Sequence, residues 1–241
     1  MKKIHIGTSG WAYATWKPEF YPPKTAANKF LAFYATRLNC VEVNYTFRAR
    51  ATAKMLSGWC EATPGDFRFA IKAHQRITHI KRLKDVGDDV AEFYRSIEPL
   101  AAAGRLGPVL FQLPPFLKLD ASRLQDFLES LPPNAHAALE FRNESWFTES
   151  VFELLRRHNA ALCIAESDKL EVPETITADF AYFRFRRSEY SEAALAKIEK
   201  QLARTAEQCE VYAFLKHEET PEGALNARRL LQRLRGEPAA A

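Results

Sequence analysis

Short runs of β-branched and aromatic residues recur along the chain, separated by stretches in which apolar residues repeat every three to four positions. The second pattern is typical of amphipathic helices, as where Leu124 and Phe127 follow a capping residue at Asp120. The first pattern predicts eight strands, at residues 4–9, 40–47, 67–74, 108–114, 136–142, 160–166, 180–186 and 210–216.

The spacing of these strands indicates repeated βα units. Successive strands begin about 20 to 40 residues apart, which leaves room for a turn and a returning helix. Eight such units in 241 residues predict an α/β fold, a single (βα)8 TIM-type barrel with parallel strands. An open doubly wound sheet is the alternative, but the glycine-rich first turn usual in that fold is absent from the sequence. We predict one domain over residues 1–235 and a flexible tail over residues 236–241.

Several predicted strands carry polar residues at every second position, although a strand buried on both faces should be almost continuously apolar. Since the apolar face of a barrel strand must meet the helices, we expect the polar face to point into the bore. Charges near the carboxyl ends of the strands would then lie where barrel enzymes carry out their chemistry. Four residues in this pattern are assigned to catalysis: Glu42, Lys72, His74 and Glu140.

The expected roles follow from the chemistry of these groups. Carboxylates and His74 would transfer protons, with Glu166 as a further carboxylate candidate. Lys72 and Arg142 would keep the carboxylates ionised or would bind an anion. The alternative is a layer of ion pairs that only neutralise one another, since buried charges normally come paired. An apolar bore is often at least as stable as such a layer, which favours a functional role.

The remaining polar and aromatic residues of the pattern are assigned to substrate binding. Arg184, Arg186 and Lys216 end the last two strands, in the quadrant where many barrels bind phosphate. A solvent-exposed charge cluster is the alternative for them. The aromatic loop that contains Trp11 would stack on a substrate or, alternatively, plug one end of the barrel. The predicted substrate-binding residues are Trp11, Asn44, Gln112, Arg142, Trp146, Glu166, Arg184, Arg186 and Lys216.

Composition and motifs narrow the class of partner. A net charge of +4 is too mild for a generic polyanion binder. No run approaches the ~20 apolar residues of a membrane span, and residues 4–10 do not form the apolar core of a signal peptide, so we expect a cytosolic protein without membrane contact. Phosphate-binding glycine loops and paired metal-ligand histidines are absent, and we expect neither a cofactor nor a metal. A site of His74 and carboxylates is the alternative for a metal.

Six runs of the sequence resemble a known family. They are GTSGWAY (7–13), VEVNYTF (41–47), FAIKA (69–73), ITH (77–79), GPVLFQLPP (107–115) and EFRNESW (140–146). The resemblance is to the family named domain of unknown function 72, with its YecE-like and YunF-like members, and it covers nearly the whole chain. It implies a TIM-type barrel and no particular activity. This chain departs from the common pattern at Glu166, at residues 184–187 and at residues 216–218, and the changes make the predicted site more basic.

We therefore expect an enzyme that acts on a small anionic substrate, phosphorylated or sugar-like, by acid/base chemistry at the carboxyl-terminal mouth of the barrel. Two alternatives stay open. One is a nucleic-acid-binding or phosphodiesterase barrel, in which aromatic side chains stack on bases and arginines contact phosphates. The other is a non-catalytic binding module whose bore charges are structural. The sequence does not indicate an oligomeric state.

Overall fold

Parallel strands occur where the hydrophobic pattern predicts them. The structure is a computed structural model that describes residues 2–216 and 219–237, so residues 1, 217, 218 and 238–241, including most of the predicted tail, lie outside the described residues. Within the described part there are eight strands: β1 Ile4–Thr8, β2 Cys40–Val43, β3 Arg68–Lys72, β4 Leu106–Gln112, β5 Ala137–Glu140, β6 Ala161–Ala165, β7 Phe180–Phe185 and β8 Glu210–Leu215.

The strands form one sheet that curves almost completely round on itself. Their order is β1-β8-β7-β6-β5-β4-β3-β2, and every hydrogen-bonded pair is parallel. From β2 to β8 each strand is therefore paired with the next one in sequence, and β8 is paired with β1. The predicted TIM-type barrel is confirmed.

Seven α-helices cover the outside of the barrel in the described residues. They are α1 Phe30–Tyr34, α2 Ala53–Glu61, α3 Gly87–Ala102, α4 Ala121–Glu129, α5 Glu149–Arg157, α6 Glu192–Gln208 and α7 Glu222–Arg235. The predicted cap of α4 is present, because the Asp120 side chain accepts a hydrogen bond from the Arg123 backbone N–H. Residues 166–179, between β6 and β7, contain no helix, and there Thr177 bonds the backbone of Ala160 and Leu162.

Several strands end earlier than the sequence pattern predicts. The second strand ends at Val43, and Tyr45–Phe47 form a turn of 3-10 helix instead of continuing it. There the Thr46 hydroxyl donates to the backbone carbonyl of Lys72 at 2.7 Å, so a side-chain hydrogen bond replaces the backbone hydrogen bonds between β2 and β3. Alternation of polar and apolar residues continues past such a point, and the pattern therefore overestimates strand length.

The seam between β1 and β2 is closed by side chains, since no backbone ladder joins these two strands in the described part of the chain. Asn39 donates to the Ile4 carbonyl at 2.8 Å and accepts from the Ile6 N–H at 2.9 Å. The Tyr34 hydroxyl accepts from the Thr8 N–H at 2.8 Å and donates to the Cys40 carbonyl at 2.9 Å. These two side chains satisfy backbone groups that would otherwise be orphaned.

The bore has an apolar floor beneath a charged layer. Buried residues that alternate with the outward-facing core form the floor, among them Ala70, Leu110, Ala138, Cys163 and Tyr182. Along each strand the next residue on the same face, toward the carboxyl end, is polar or charged in β3, β4, β5 and β7. The predicted polar face therefore lines the upper bore. No helix of the described residues combines the length and apolar character needed to cross a bilayer.

Candidate functional site

Arg184 lies at the centre of the charged layer and joins two carboxylates across the bore. Its side chain is almost completely buried, as are those of Glu42 and Glu140. One guanidinium nitrogen, Nη2, lies 2.7 Å from Oε1 of Glu42, and the other, Nη1, contacts Oε2 of Glu140. A cation from β7 thus bridges anions from β2 and β5. No two of these three strands are neighbours in the sheet, so the contacts cross the bore.

Glu42 accepts further hydrogen bonds from neutral groups. The Ser9 hydroxyl donates at 2.8 Å, the Tyr182 hydroxyl at 2.8 Å and the Asn44 amide at 3.3 Å. Burial by itself would raise the pKa of Glu42, but Arg184 and the two hydroxyl donors outweigh it and hold the pKa below its ordinary value. Glu42 is therefore a carboxylate at neutral pH.

Glu140 is held in the same state by a larger set of cations. Arg142 Nε lies 3.0 Å and Arg186 Nη2 lies 3.2 Å from its Oε1, and the Gln112 amide donates to Oε2 at 2.9 Å. Burial opposes ionisation, yet Arg184, Arg186 and Arg142 together bring the pKa of Glu140 well below its ordinary value. Both bore carboxylates suit an electrostatic or basic role, and neither is protonated to act as an acid at neutral pH.

Lys72 contributes an amine to the hydrogen-bonded network of Glu42, Glu140 and Arg184, and its own partners are uncharged. Its Nζ donates to Oε1 of Gln112 at 3.0 Å and lies 4.3 Å from the centre of the Phe47 ring. Among the described residues Lys72 forms no ion pair. Burial first, and then the positive charge of Arg184, lower the pKa of Lys72 to about 8. Lys72 is therefore the amine of the network that titrates close to neutral pH.

A stability measurement tests this environment. In the unfolded chain Lys72 binds its proton more tightly than in the folded one, so folded stability should rise as pH increases from about 8 to 10.5. At pH 7 the penalty is fully present, and Lys72→Met should raise the free energy of unfolding by about 1 kcal/mol, a value reduced for partial solvent exposure. Urea unfolding at pH 7 and 9.5 should show the gain shrinking at the higher pH.

Lys54, exposed on α2, provides the matched control for this substitution. Lys54→Met removes the same charge from the surface, and its effect should be small and nearly independent of pH. If Lys72→Met lowered the free energy of unfolding equally at both pH values, the protonated amine would stabilise the folded state and would carry no burial penalty.

The carboxyl-terminal mouth contains a cleft of about 580 Å³ above this network. Asn44, Gln112 and Phe47 contribute to its wall. No acidic side chain of the described residues lines it, whereas six basic ones do: Arg48, Lys72, Arg142, Arg184, Arg186 and Lys216. The cleft is therefore suited to a negatively charged ligand.

Glu166 borders a second, adjoining cleft of about 460 Å³, which shares Arg142 and Arg186 with the first. Its Oε2 accepts from the backbone N–H groups of Arg186 at 3.0 Å and Arg187 at 3.3 Å, and from the Tyr190 hydroxyl. Its Oε1 pairs with Arg187 at 2.6 Å. Glu166 thus holds the loop after β7 in place. Arg186 belongs to this loop, and its side chain lines both clefts.

Three of the predicted site residues lie apart from the charged network. Trp146 is fully buried, stacks on Phe141 at 4.7 Å and donates to the Leu117 carbonyl, so it belongs to the core. Trp11 packs edge-on against Trp59 of α2, 5.4 Å between ring centres. Position after a strand does not reveal which way an aromatic side chain turns, and these two turn toward other aromatic rings.

The third is His74, which lies beyond the end of β3. Its Nδ1 accepts a hydrogen bond from the Arg76 backbone N–H at 3.2 Å, a local capping contact in the following turn. No set of three or more His, Cys, Asp or Glu side chains within residues 2–216 and 219–237 is grouped so as to hold a metal ion.

His79, which was not among the predicted site residues, lies closer to the network. It belongs to a single π-helical turn, Arg76–Ile80, and its ring meets the Phe47 ring edge-on at 4.9 Å. Burial and the charge of Lys72 lower the pKa of His79, which keeps the imidazole neutral at physiological pH. Its position outside any strand explains why alternation did not select it, although it ends the run ITH that resembles the family.

Known proteins resemble this chain over most of its length. The family model described as a protein of unknown function, DUF72, matches residues 5–241. The chain belongs to the DUF72 family. The UPF0759 protein YunF of Bacillus subtilis is 33% identical to this DUF72 chain over 156 residues, which are 62% of this chain and 54% of YunF. That alignment therefore spans about half the length of the relative.

Solved DUF72 structures show the same barrel. A DUF72 family protein of Thermotoga maritima superimposes with a TM-score of 0.87 at 29% identity, over 97% of this chain and 99% of that one. A DUF72 family protein of Enterococcus faecalis gives a TM-score of 0.79 at 18% identity, over 99% of both chains. The family resemblance of the sequence is confirmed, and the shared fold extends over the whole barrel.

Proposed function

We propose that this DUF72 protein is an enzyme that acts on a small anionic substrate held at the carboxyl-terminal mouth of the barrel. The observation that carries the proposal is the charge balance of the hydrogen-bonded network in the upper bore. Two carboxylates, Glu42 and Glu140, meet four basic side chains: Lys72, Arg142, Arg184 and Arg186. The network therefore has two more basic side chains than carboxylates.

An excess of partly buried cations is costly unless an anion compensates it, because partly desolvated charge needs a partner. A phosphate or dicarboxylate in the 580 Å³ cleft would supply that partner, and the cleft has the volume usual for small-molecule sites. Arg142 and Arg186 would contact the anion by their planar guanidinium groups, which match carboxylate and phosphate oxygens. The proposed substrate is thus a small molecule with at least one such group.

We do not assign proton transfer to the pair Glu42 and Glu140. Because the pKa values of Glu42 and Glu140 are lowered, we assign them to holding the arginines and Lys72 in place and to stabilising positive charge. Lys72, with its pKa lowered to about 8, is the group that we propose to act chemically on the substrate near neutral pH.

A nucleic acid is the second candidate ligand, because aromatic side chains stand beside the cations of the mouth. Tyr45 is half-exposed on the rim of the cleft next to Arg48, and such pairs can stack on a base and contact its phosphate. The two ligand classes differ in salt dependence. A polyanion that contacts several cations loses affinity steeply with increasing salt, whereas a single small anion gives a shallow slope.

Binding of inorganic phosphate tests the proposal directly. At constant ionic strength, phosphate should bind measurably in isothermal titration calorimetry and raise the melting temperature, since a ligand bound only to the folded state stabilises it. Arg186→Gln should weaken phosphate binding about tenfold, the cost of one charge-assisted hydrogen bond. Arg95→Gln, an exposed change on α3, should leave binding unaltered. Equal binding by both variants, or none by the unaltered protein, would refute the anion site.

A further inference from the structure

The amine of Lys72 has surroundings unlike those of the other charged groups in the bore. Arg142, Arg184 and Arg186 each contact a carboxylate, whereas the partners of Lys72 are the neutral amide of Gln112 and the face of Phe47. The side chain is partly buried and lines the 580 Å³ cleft. An amine so placed can lose its proton and keep its hydrogen bond, because a neutral amine still donates to Gln112.

The charges that face Lys72 come from several elements. Burial, Arg184 from β7 and Arg142 after β5 all lower the pKa of Lys72. The carboxylates of β2 and β5 raise it, but by less than burial lowers it. Those carboxylates are already engaged by Arg184, Ser9, Tyr182, Gln112 and Arg142. A desolvated lysine beside other cations is the usual setting of an amine nucleophile.

We propose that Lys72 is a nucleophile that forms an imine with the carbonyl group of an anionic aldehyde or ketone bound in this cleft. The proposal rests on the anion-binding function proposed above, and it names the substrate class: carbonyl compounds that also carry a phosphate or carboxylate. Arg142, Arg186 and Arg48 line the same cleft and would hold the anionic group while the carbonyl carbon meets Lys72.

The proposed step balances without an oxidant or reductant. The lone pair of the neutral amine forms a bond to the carbonyl carbon, and a proton moves from nitrogen to the former carbonyl oxygen to give a carbinolamine. The nitrogen then gives up its second proton to that oxygen, the carbon–oxygen bond breaks, and water leaves as the C=N bond forms.

Reductive trapping tests the proposal on the full chain. Pyridoxal 5′-phosphate is the probe, and borohydride reduction converts any imine into a stable secondary amine that peptide mass mapping can locate. We expect Lys72 to be labelled at least tenfold faster than exposed Lys54, with a rate that increases between pH 7 and 9. Inorganic phosphate should slow labelling of Lys72 and leave that of Lys54 unchanged. Pyridoxal, which lacks the phosphate, should label Lys72 more slowly.

Two variants complete the experiment. Lys72→Arg keeps the charge but cannot form the imine, and should still bind phosphate while losing the fast phase of labelling. Arg186→Gln should slow labelling of Lys72 about tenfold without moving it to another lysine. Circular dichroism would show that both variants are folded.

The outcomes separate the two proposals. If phosphate binds but the probe labels Lys72 no faster than Lys54, the nucleophile is overturned and the anion site stands. If Lys72 is labelled fast but neither phosphate nor loss of the probe's phosphate group changes the rate, the nucleophile is supported and the anion site is overturned.

Discussion

Replacing Arg184 with methionine should lower the free energy of unfolding at pH 7 by about 3 to 5 kcal/mol. Arg184 is almost completely buried and contacts both Glu42 and Glu140, so its removal leaves Glu42 without a cation and leaves Glu140 with only the partly exposed Arg142 and Arg186. Methionine has similar length and fills much of the same space, so the loss would come mainly from uncompensated charge and not from a cavity. Equilibrium urea unfolding at pH 7 measures it.

The effect should depend on pH with a defined sign. In the unaltered protein Arg184 and its neighbours lower the pKa of both carboxyl groups, so their stabilising contribution is present above the ordinary carboxyl pKa and is lost as the pH falls. In the variant, burial and mutual repulsion would raise the pKa of at least one carboxyl, which favours the folded state in acid. The deficit of Arg184→Met should therefore shrink between pH 7 and pH 5.

Neutral glutamine variants are the controls for this result. Adding Glu42→Gln to Arg184→Met removes a buried carboxylate together with its cation, and this double variant should recover part of the lost stability, because replacing a buried ion pair is often neutral or stabilising. Adding Glu140→Gln instead would leave Arg142 and Arg186 without a carboxylate and should recover less. A single variant that is as stable as the unaltered protein would show that the carboxylates are well solvated. Full recovery by the variant with Glu42→Gln would show that stability does not require the Glu42–Arg184 ion pair.

Much of the barrel could be predicted from the sequence because its causes are local. Runs of β-branched and aromatic residues predicted all eight strands, and period-2 alternation selected the bore-facing residues Glu42, Lys72, Gln112, Glu140 and Arg184. These side chains share one face for the same geometric reason that the strands exist. Strand ends were less predictable, since the contact of Thr46 with the Lys72 carbonyl joins residues from different strands.

The pairing within the site was not readable from the pattern. Arg184 contacts residues 142 and 44 positions away in the chain, and which acid it meets depends on barrel closure. Trp146 was predicted to contact substrate from its place after a strand, yet it stacks on Phe141 in the core. His79 was overlooked because a π-helical turn carries it. Alternation thus predicts which residues face the bore, but contacts among loops cannot be predicted without knowing the fold.

Gly7→Ala should destabilise the protein by about 3 kcal/mol, because it forces open the seam between β1 and β2. A Cβ atom at Gly7 would lie 2.0 Å from the Cys40 carbonyl oxygen and 2.9 Å from the Tyr34 hydroxyl. The carbonyl belongs to the backbone of β2, and the hydroxyl bonds both Cys40 and Thr8, so neither can move without breaking the closure. Denaturant unfolding measures the loss.

Gly58→Ala is the matched control, since nothing lies within 4 Å of a Cβ at that exposed helical position. It should stabilise the protein by up to about 1 kcal/mol through helix propensity alone. The seam also bears on the site, because Ser9 follows β1 and donates to Glu42. Opening the seam in Gly7→Ala should therefore weaken phosphate binding as well as folding. If Gly7→Ala kept both stability and phosphate affinity, close approach of β1 to β2 would not be what positions Ser9 against Glu42.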